Sequence, residues 1–218
     1  MSWVNKDTEI YCSFAKNAGN TGCQMMNSAF YYHKLNKIYK SFSVENIEEA
    51  IQAVKTLNIK GFAITMPYKK EVLEFVDDME EEVRNIGAAN TVINDGGYLR
   101  AYNTDFLAAK KYLKQYKDLL YTKDFYILGD GGYAAAVKTA VLSYGVTPTT
   151  INRDNWTQLL EIKDSIVYNC TPVEDIKKQI NDNNTFIDCI VTTKSGHELA
   201  KLQASHQYKL YTQLEFPF

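Results

Sequence analysis

The segment Phe125-Tyr126-Ile127-Leu128-Gly129-Asp130-Gly131-Gly132-Tyr133-Ala134-Ala135-Ala136 constrains the fold of this chain more than any other. An apolar, β-prone run breaks at closely spaced glycines and resumes in alanines, which reads as strand, tight turn and helix. A strand feeding directly into a helix opens a βαβ unit and calls for a parallel partner strand. Gly129 and Gly131 let a backbone turn and approach a pyrophosphate, with Asp130 and Gly132 completing the turn. Tyr133 and Ala134 open the helix, Ala134 taking the small position that permits close packing, and the helix N-terminus offers unpaired N–H groups. The competing reading of this motif alone is a ligand-free glycine turn.

Elsewhere the chain keeps the same rhythm. Segments rich in β-branched and aromatic residues predict strands at Ile10–Phe14, Ile38–Phe42, Gly61–Thr65, Thr91–Asn94, Asp124–Leu128, Thr149–Asn152, Ser165–Asn169 and Thr185–Ile190. Helical spacing predicts helices over Gln24–Leu35, Val44–Thr56, Thr104–Tyr116, Tyr133–Tyr144 and Glu198–Tyr208. The class is α/β with mainly parallel sheets. Periodicity weakens over the polar stretch from Tyr116 to Lys123, after which four or five βα units are expected to run to about Gly196.

A length of 218 residues allows one large or two small domains, and 45% hydrophobic against 23% charged residues excludes intrinsic disorder. A net charge of −2 without a basic face argues against nucleic acid or an anionic membrane as partner, leaving small molecules. Cys12, Cys23, Cys170 and Cys189 lack C-x-x-C pairing and read as reduced thiols, which points to the cytoplasm. The polar N-terminus does not resemble a signal peptide, and no apolar run is long enough to span a membrane. His33, His197 and His206 are isolated, so no metal site is expected.

The strand predicted at Thr149–Asn152 ends in Asn152-Arg153-Asp154, where a dinucleotide fold reads the adenosine ribose. An arginine there forms a charge-assisted fork with a 2′-phosphate, so Arg153 favours NADP over NAD, while Asp154 pulls the other way. Upstream, Gly61–Thr65 runs through Met66 into Pro67, which ends a ladder and sets Lys69 at a strand's carboxyl edge. Two Asn-Thr pairs follow, Asn90-Thr91 and Asn103-Thr104, the second leading to Asp105 at a helix start. Each pair alone reads equally as a turn or cap. Together with a nicotinamide site, Lys69 and Asp105 supply a group to carry a hydroxyl proton and a carboxylate to orient it.

With Thr65-Met66-Pro67-Tyr68-Lys69, Gly87-Ala88-Ala89-Asn90-Thr91, Asn103-Thr104-Asp105 and the glycine turn in that order, the chain resembles the shikimate dehydrogenase family over nearly its full length. The resemblance implies a substrate-binding and catalytic domain, residues 1–103 with 197–218, and a Rossmann-like NADP-binding domain, residues 104–196, with the last helix returning to the first domain. The family's active site lies in the cleft between them. Lys69 and Asp105 fall on the family's catalytic pair, and Thr65, Asn90 and Gln203 on its substrate contacts. Asn169-Cys170-Thr171-Pro172 matches the segment near the nicotinamide, and Asn152-Arg153 matches the NADP-reading pair.

The family's S-x-S-P segment, which holds the shikimate carboxylate, is replaced by Ala18-Gly19-Asn20-Thr21-Gly22-Cys23. Asn20 or Thr21 can still donate, but losing one good donor to a charged group costs about 1.5 to 3 kcal/mol, roughly one to two orders of magnitude in affinity. Ala63 replaces the usual asparagine two residues before Thr65. These departures resemble the shikimate dehydrogenase-like branch. The implied activity is an NADP-dependent dehydrogenase acting on shikimate or a related cyclic hydroxy acid, as monomer or homodimer. The rivals are a non-catalytic ligand sensor or a plain NADP-binding protein on the same fold, against which the retention of both Lys69 and Asp105 weighs. Only seven residues separate Asp188 from Gly196, which reads as a compact but complete enzyme.

Overall fold

The computed structural model describes residues 4–218, so the first three residues of the polar N-terminal segment lie outside it. The chain divides into two compact units: the residues up to Thr104 with Ala204–Phe218, and Asp105–Gln203. The second boundary therefore falls inside the last helix, beyond the expected residue 196.

In the first unit the order is β1 (Glu9–Ala15), α1 (Thr21–Tyr32), β2 (Lys37–Ser43), α2 (Ile47–Thr56), β3 (Gly61–Ile64), β4 (Asp78–Met79), α3 (Glu81–Ile86), β5 (Thr91–Asp95) and β6 (Tyr98–Tyr102). The strands form one sheet in the order β2-β1-β3-β5-β6-β4. β1, β2 and β3 are parallel, joined by the crossover helices α1 and α2. β5 runs antiparallel to both β3 and β6 and is the one reversed strand in a sheet that is otherwise parallel, β4 pairing parallel with β6. The source of the reversal is a hairpin at Asn94-Asp95-Gly96-Gly97, where Gly97 N–H donates to Asn94 Oδ1 at 2.8 Å.

Alternation along the strands separates the two faces. Cys12, Phe14, Phe62 and Ile64 join Ile47, Ile51 and Val54 of α2 in one core. Tyr11 and Tyr39 join Met26 and Phe30 of α1 in a second core on the opposite face. That second core is completed by Ala204, Tyr208 and Tyr211 from the end of the last helix. Gly61 is required there: a Cβ on it would stand 2.7 Å from the Tyr211 ring.

The second unit comprises most of α4 (Thr104–Leu113), α5 (Lys117–Leu120), β7 (Phe125–Leu128), α6 (Gly132–Leu142), β8 (Thr149–Ile151), β9 (Ile166–Asn169), β10 (Thr185–Asp188) and the start of α7 (Lys194–Thr212). Its four strands are all parallel, in the order β10-β9-β7-β8. Of the expected βα units only β7–α6 carries a full helix between strands of this sheet. The connections after β8 and β9 are 3₁₀ turns at Trp156–Glu161 and Ile176–Gln179. Both turns are apolar enough to be held by packing, Leu159 and Ile176 lying in the core with Leu128, Ile151 and Val167. All four cysteines are free thiols, and no helix among the described residues is long and apolar enough to cross a membrane.

Candidate functional site

In the first unit, topology gathers the expected residues at one sheet edge. Asn20 and Thr21 follow β1 at the start of α1, and Thr65 and Lys69 follow β3. Because β5 is antiparallel, Asn90 precedes it at that same edge, and the Ile64 N–H donates to the Asn90 carbonyl at 2.8 Å. The carboxyl ends of parallel strands are where open α/β sheets bind ligands. Lys69 sits half-buried in a turn that contains a cis Met66–Pro67 peptide. Among the bonds that hold this turn, the Tyr68 hydroxyl donates to Val44 O at 2.6 Å, and Ala89 N–H donates to Lys69 O at 2.8 Å. Thr65, Asn20 and Thr21 are exposed, and Asn20 makes no capping bond with its side chain.

Asn90 is almost completely buried, and most of its amide group serves the fold. Its Oδ1 accepts from Thr104 N–H at 2.7 Å and from the hydroxyls of Thr91 and Thr104 at 3.1 Å, while Nδ2 donates to Thr104 Oγ1 at 2.9 Å. Gln207 Nε2 donates to Thr91 Oγ1 at 2.9 Å, extending the network into α7. One Nδ2 hydrogen of Asn90 remains outside these bonds. Thr104 reads from sequence only as part of an Asn-Thr pair, and Gln207 is not singled out. A signal existed for Gln207, one helical turn after Gln203 on an otherwise apolar face.

In the second unit, β8 lies on one side of β7 and β9 on the other, so the strand order reverses between β7 and β9. Gly129 follows β7 with φ +103°, and a Cβ on it would lie 3.0 Å from Thr171 Cγ2, beyond the end of β9. Only glycine takes both the dihedral and the approach without strain. Gly129 N–H donates to Ile151 O at 2.7 Å, locking the turn to β8 as well. Asp130 and Gly131 continue the turn, and α6 starts at Gly132 with no side-chain cap and no acid in its first turn. There the Ala135 N–H donates to Gly131 O at 3.0 Å, and the start of α6 carries the positive end of the helix dipole. Ala134 is buried, as close helix packing requires.

The remaining cofactor candidates divide by what occupies them. Thr171 commits its hydroxyl locally, donating to Asn169 Oδ1 at 2.8 Å and accepting from Val173 N–H at 3.2 Å. Asn152 Oδ1 accepts from Asp154 N–H at 2.9 Å, shaping the bend that carries Arg153. Arg153 is exposed. Arg84 and Arg100, the other arginines, pair with Asp78, and Arg100 also with Glu80, whereas Arg153 has no ion pair among the described residues. Tyr133 turns its hydroxyl to that of Tyr168, 3.0 Å away. Burial pushes both phenols well above the ordinary tyrosine range, Tyr133 further raised by Cys170 and Asp105 and Tyr168 by Tyr133. Tyr168, a tyrosine inside an apolar strand, was not distinguished from core in the sequence. Asp105 lies buried in the first turn of α4, and Gln203 is half-buried in α7; both belong to the second unit.

Residues 21–92 match the family model described as shikimate dehydrogenase substrate binding domain. A shikimate dehydrogenase-like protein of Haemophilus influenzae is 37% identical over 142 residues, 65% of this chain and 52% of that protein. A shikimate dehydrogenase (NADP(+)) of Clostridium beijerinckii is 31% identical over 194 residues, covering 75% of this chain and 71% of its own length. The solved structure of a shikimate 5-dehydrogenase-like protein superposes with a TM-score of 0.82 at 29% identity, over 97% of this chain and 94% of that one. The chain spans about half the length of several of the curated relatives it matches. The identity and coverage shared with the Clostridium protein, on a fold of two α/β units, establish that the chain belongs to the shikimate dehydrogenase family.

Proposed function

We propose that the protein is an NADP-dependent dehydrogenase that interconverts shikimate and 3-dehydroshikimate, or a closely related pair of cyclic hydroxy and oxo acids. Support comes first from the sheet edge of the first unit, where Thr65 and Lys69 follow the parallel strand β3 and Asn90 precedes the antiparallel β5 at the same edge. The second unit fits a dinucleotide phosphate on its own residues. Gly129 leaves room where a Cβ would crowd Thr171, the first turn of α6 has no side-chain cap, and Arg153, exposed past β8, has no ion pair among the described residues. The bound cofactor supplies the hydride that is exchanged with the substrate's secondary carbon.

Each chain residue then has a defined task. Reduction adds a hydride to carbon and a proton to oxygen, and Lys69 Nζ delivers that proton to the alkoxide as it forms, or removes it in the reverse direction. Asp105 accepts hydrogen bonds that orient the ammonium and the substrate hydroxyl. Thr65, Asn90 and Gln203 hold the remaining hydroxyls, with Asn90 fixed by Thr91 and Thr104 before substrate arrives. Gly129, Asp130, Gly131, Gly132 and the amides of Tyr133 and Ala134 cradle the pyrophosphate, Thr171 lines the nicotinamide side, and Asn152-Arg153 reads the 2′-phosphate.

The test follows nicotinamide absorbance with NADP and with NAD against shikimate, quinate and related acids. The expected result is turnover with at least one acid and a preference for NADP that falls by about tenfold or more in Arg153→Ala, the scale of one charge-assisted contact. Cofactor binding without turnover of any acid contradicts the dehydrogenase and favours a non-catalytic protein. A preference for NAD contradicts the role of Arg153.

A further inference from the structure

We infer that Gln207 is a positioning residue: by donating to Thr91 it holds the Thr91 hydroxyl on Asn90 Oδ1 and so fixes the Asn90 amide as a donor toward the substrate. This rests on the dehydrogenase reading above, in which Asn90 holds a substrate oxygen. Gln207 lies on a face of α7 that otherwise buries Ala204, Tyr208 and Tyr211 in the second core of the first unit. Three residues after Ala204 and four before Tyr211, it falls on the same helical stripe, and it is 3% exposed. An apolar side chain would fill that position without the cost of burying an amide, so the amide needs a partner. Its Nε2 has one in Thr91 Oγ1 on β5, at 2.9 Å.

The available hydrogens fix the direction of the bonds that follow. Thr104 N–H can only donate and lies 2.7 Å from Asn90 Oδ1, so the amide oxygen of Asn90 faces Thr104 and its nitrogen cannot exchange places with it. Thr91 Oγ1 stands 3.1 Å from the same oxygen, which has no hydrogen to give, so the single Thr91 hydrogen lies between the two. What Thr91 Oγ1 then offers Gln207 is a lone pair, and the group that meets it must donate, as Nε2 does. Asn90 Nδ2 in turn donates to Thr104 Oγ1 at 2.9 Å. The bonds thus run one way, from Gln207 through Thr91 to Asn90 and on to Thr104, and bonds aligned in this manner polarise one another.

The consequence reaches the sheet edge that carries Thr65 and Lys69, where the Asn90 carbonyl accepts from Ile64 N–H. Two donors on Oδ1 draw charge toward the oxygen and strengthen the Nδ2 hydrogen that these bonds leave over. That hydrogen is what Asn90 offers a ligand, since its oxygen is committed to Thr104 and Thr91. The substrate oxygen it meets must therefore accept, as a hydroxyl lone pair or a carbonyl does. Without Gln207 nothing holds the Thr91 hydroxyl in this direction from the α7 side, and the Asn90 donor weakens.

The experiment compares wild type, Gln207→Met, Thr91→Val, Thr91→Ser and the double variant Gln207→Met with Thr91→Val, in two readouts; Gln207→Leu replaces Gln207→Met if the latter does not fold. In the first, the side-chain amide of Asn90 is followed by NMR in the ligand-free protein and during a shikimate titration. Its resonances are expected to move in Gln207→Met and Thr91→Val and to return toward wild type in Thr91→Ser, which restores the hydroxyl. In the second, KM for shikimate is expected to rise about 3- to 10-fold in Gln207→Met and in Thr91→Val, the scale of one neutral hydrogen bond, with a smaller change in kcat. The double variant is expected to match Thr91→Val instead of multiplying the two losses, because Gln207 acts through the Thr91 hydroxyl. Losses that multiply, or an Asn90 resonance unmoved in Gln207→Met, overturn the inference and leave Gln207 a packing residue. A resonance that moves with the variants but not with shikimate also overturns the positioning role. If no acid is turned over, an Asn90 resonance that shifts with shikimate in wild type and less in Gln207→Met supports the positioning role while the dehydrogenase fails.

Discussion

Tyr168 has no measurable exposure, and its hydroxyl finds its partner in Tyr133 at 3.0 Å. Burial raises its pKa, so in the folded chain the phenol stays protonated where an unfolded one, with a value near 10, begins to ionise. The stabilisation from this group is complete below about pH 10 and is lost as pH rises toward the folded value, by about 1.4 kcal/mol per pH unit. Urea unfolding at about pH 9 and about pH 11 checks this linkage. Wild type is expected to lose more stability across that interval than Tyr168→Phe, which has one buried phenol fewer. Equal losses in the two proteins would show that Tyr168 ionises freely. Asn90 shows the same economy at the polar end of the scale: a residue read from sequence as a substrate contact commits three acceptor interactions to Thr91 and Thr104. The sequence exposes the residue type and its neighbourhood, but that Gln207, far away in the chain, bonds to the neighbouring Thr91 comes from the fold.

At the scale of elements, the β7–α6 turn is the most completely legible part of the chain. Its glycines announce a positive dihedral and a close backbone approach, and Gly129 has both, with φ +103° and Thr171 at 3.0 Å from a built Cβ. Gly129→Ala is expected to destabilise the protein by about 1 to 3 kcal/mol and to weaken NADP binding, measured by thermal unfolding and by cofactor titration. Unchanged stability and affinity would mean that the turn tolerates a side chain. The β5–β6 hairpin was equally marked, by Asn94-Asp95-Gly96-Gly97 between apolar runs, yet β6 was not foreseen. Its alternation is obscured by Arg100, which faces Asp78 and Glu80 across a charged surface. β4 was illegible for a different reason: two residues, Asp78 and Met79, pair with β6 without any periodicity of their own. The connections at Trp156–Glu161 and Ile176–Gln179 are too short to show helical spacing, and Trp156, Leu159 and Ile176 tie them to the core.

For the whole molecule, the family and the two-unit α/β plan follow from motif order, whereas the exact unit boundary does not, because α7 continues through it without a break in pattern. The two units carry different chemistry. The first collects hydroxyl, amide and ammonium groups at the strand ends that carry Thr65, Lys69 and Asn90, and the second presents a glycine turn and Arg153. The central claim is that Lys69 moves the hydroxyl proton in a reaction whose cofactor is held by the second unit. Lys69→Ala therefore separates the two roles: steady-state turnover of shikimate is measured alongside NADP affinity in the same preparation. The expected result is a fall in kcat of about 10²- to 10⁴-fold, the usual contribution of a positioned proton donor, with NADP affinity unchanged within about twofold. Turnover in Lys69→Ala within about threefold of wild type would contradict the account, because another group would then be carrying the proton.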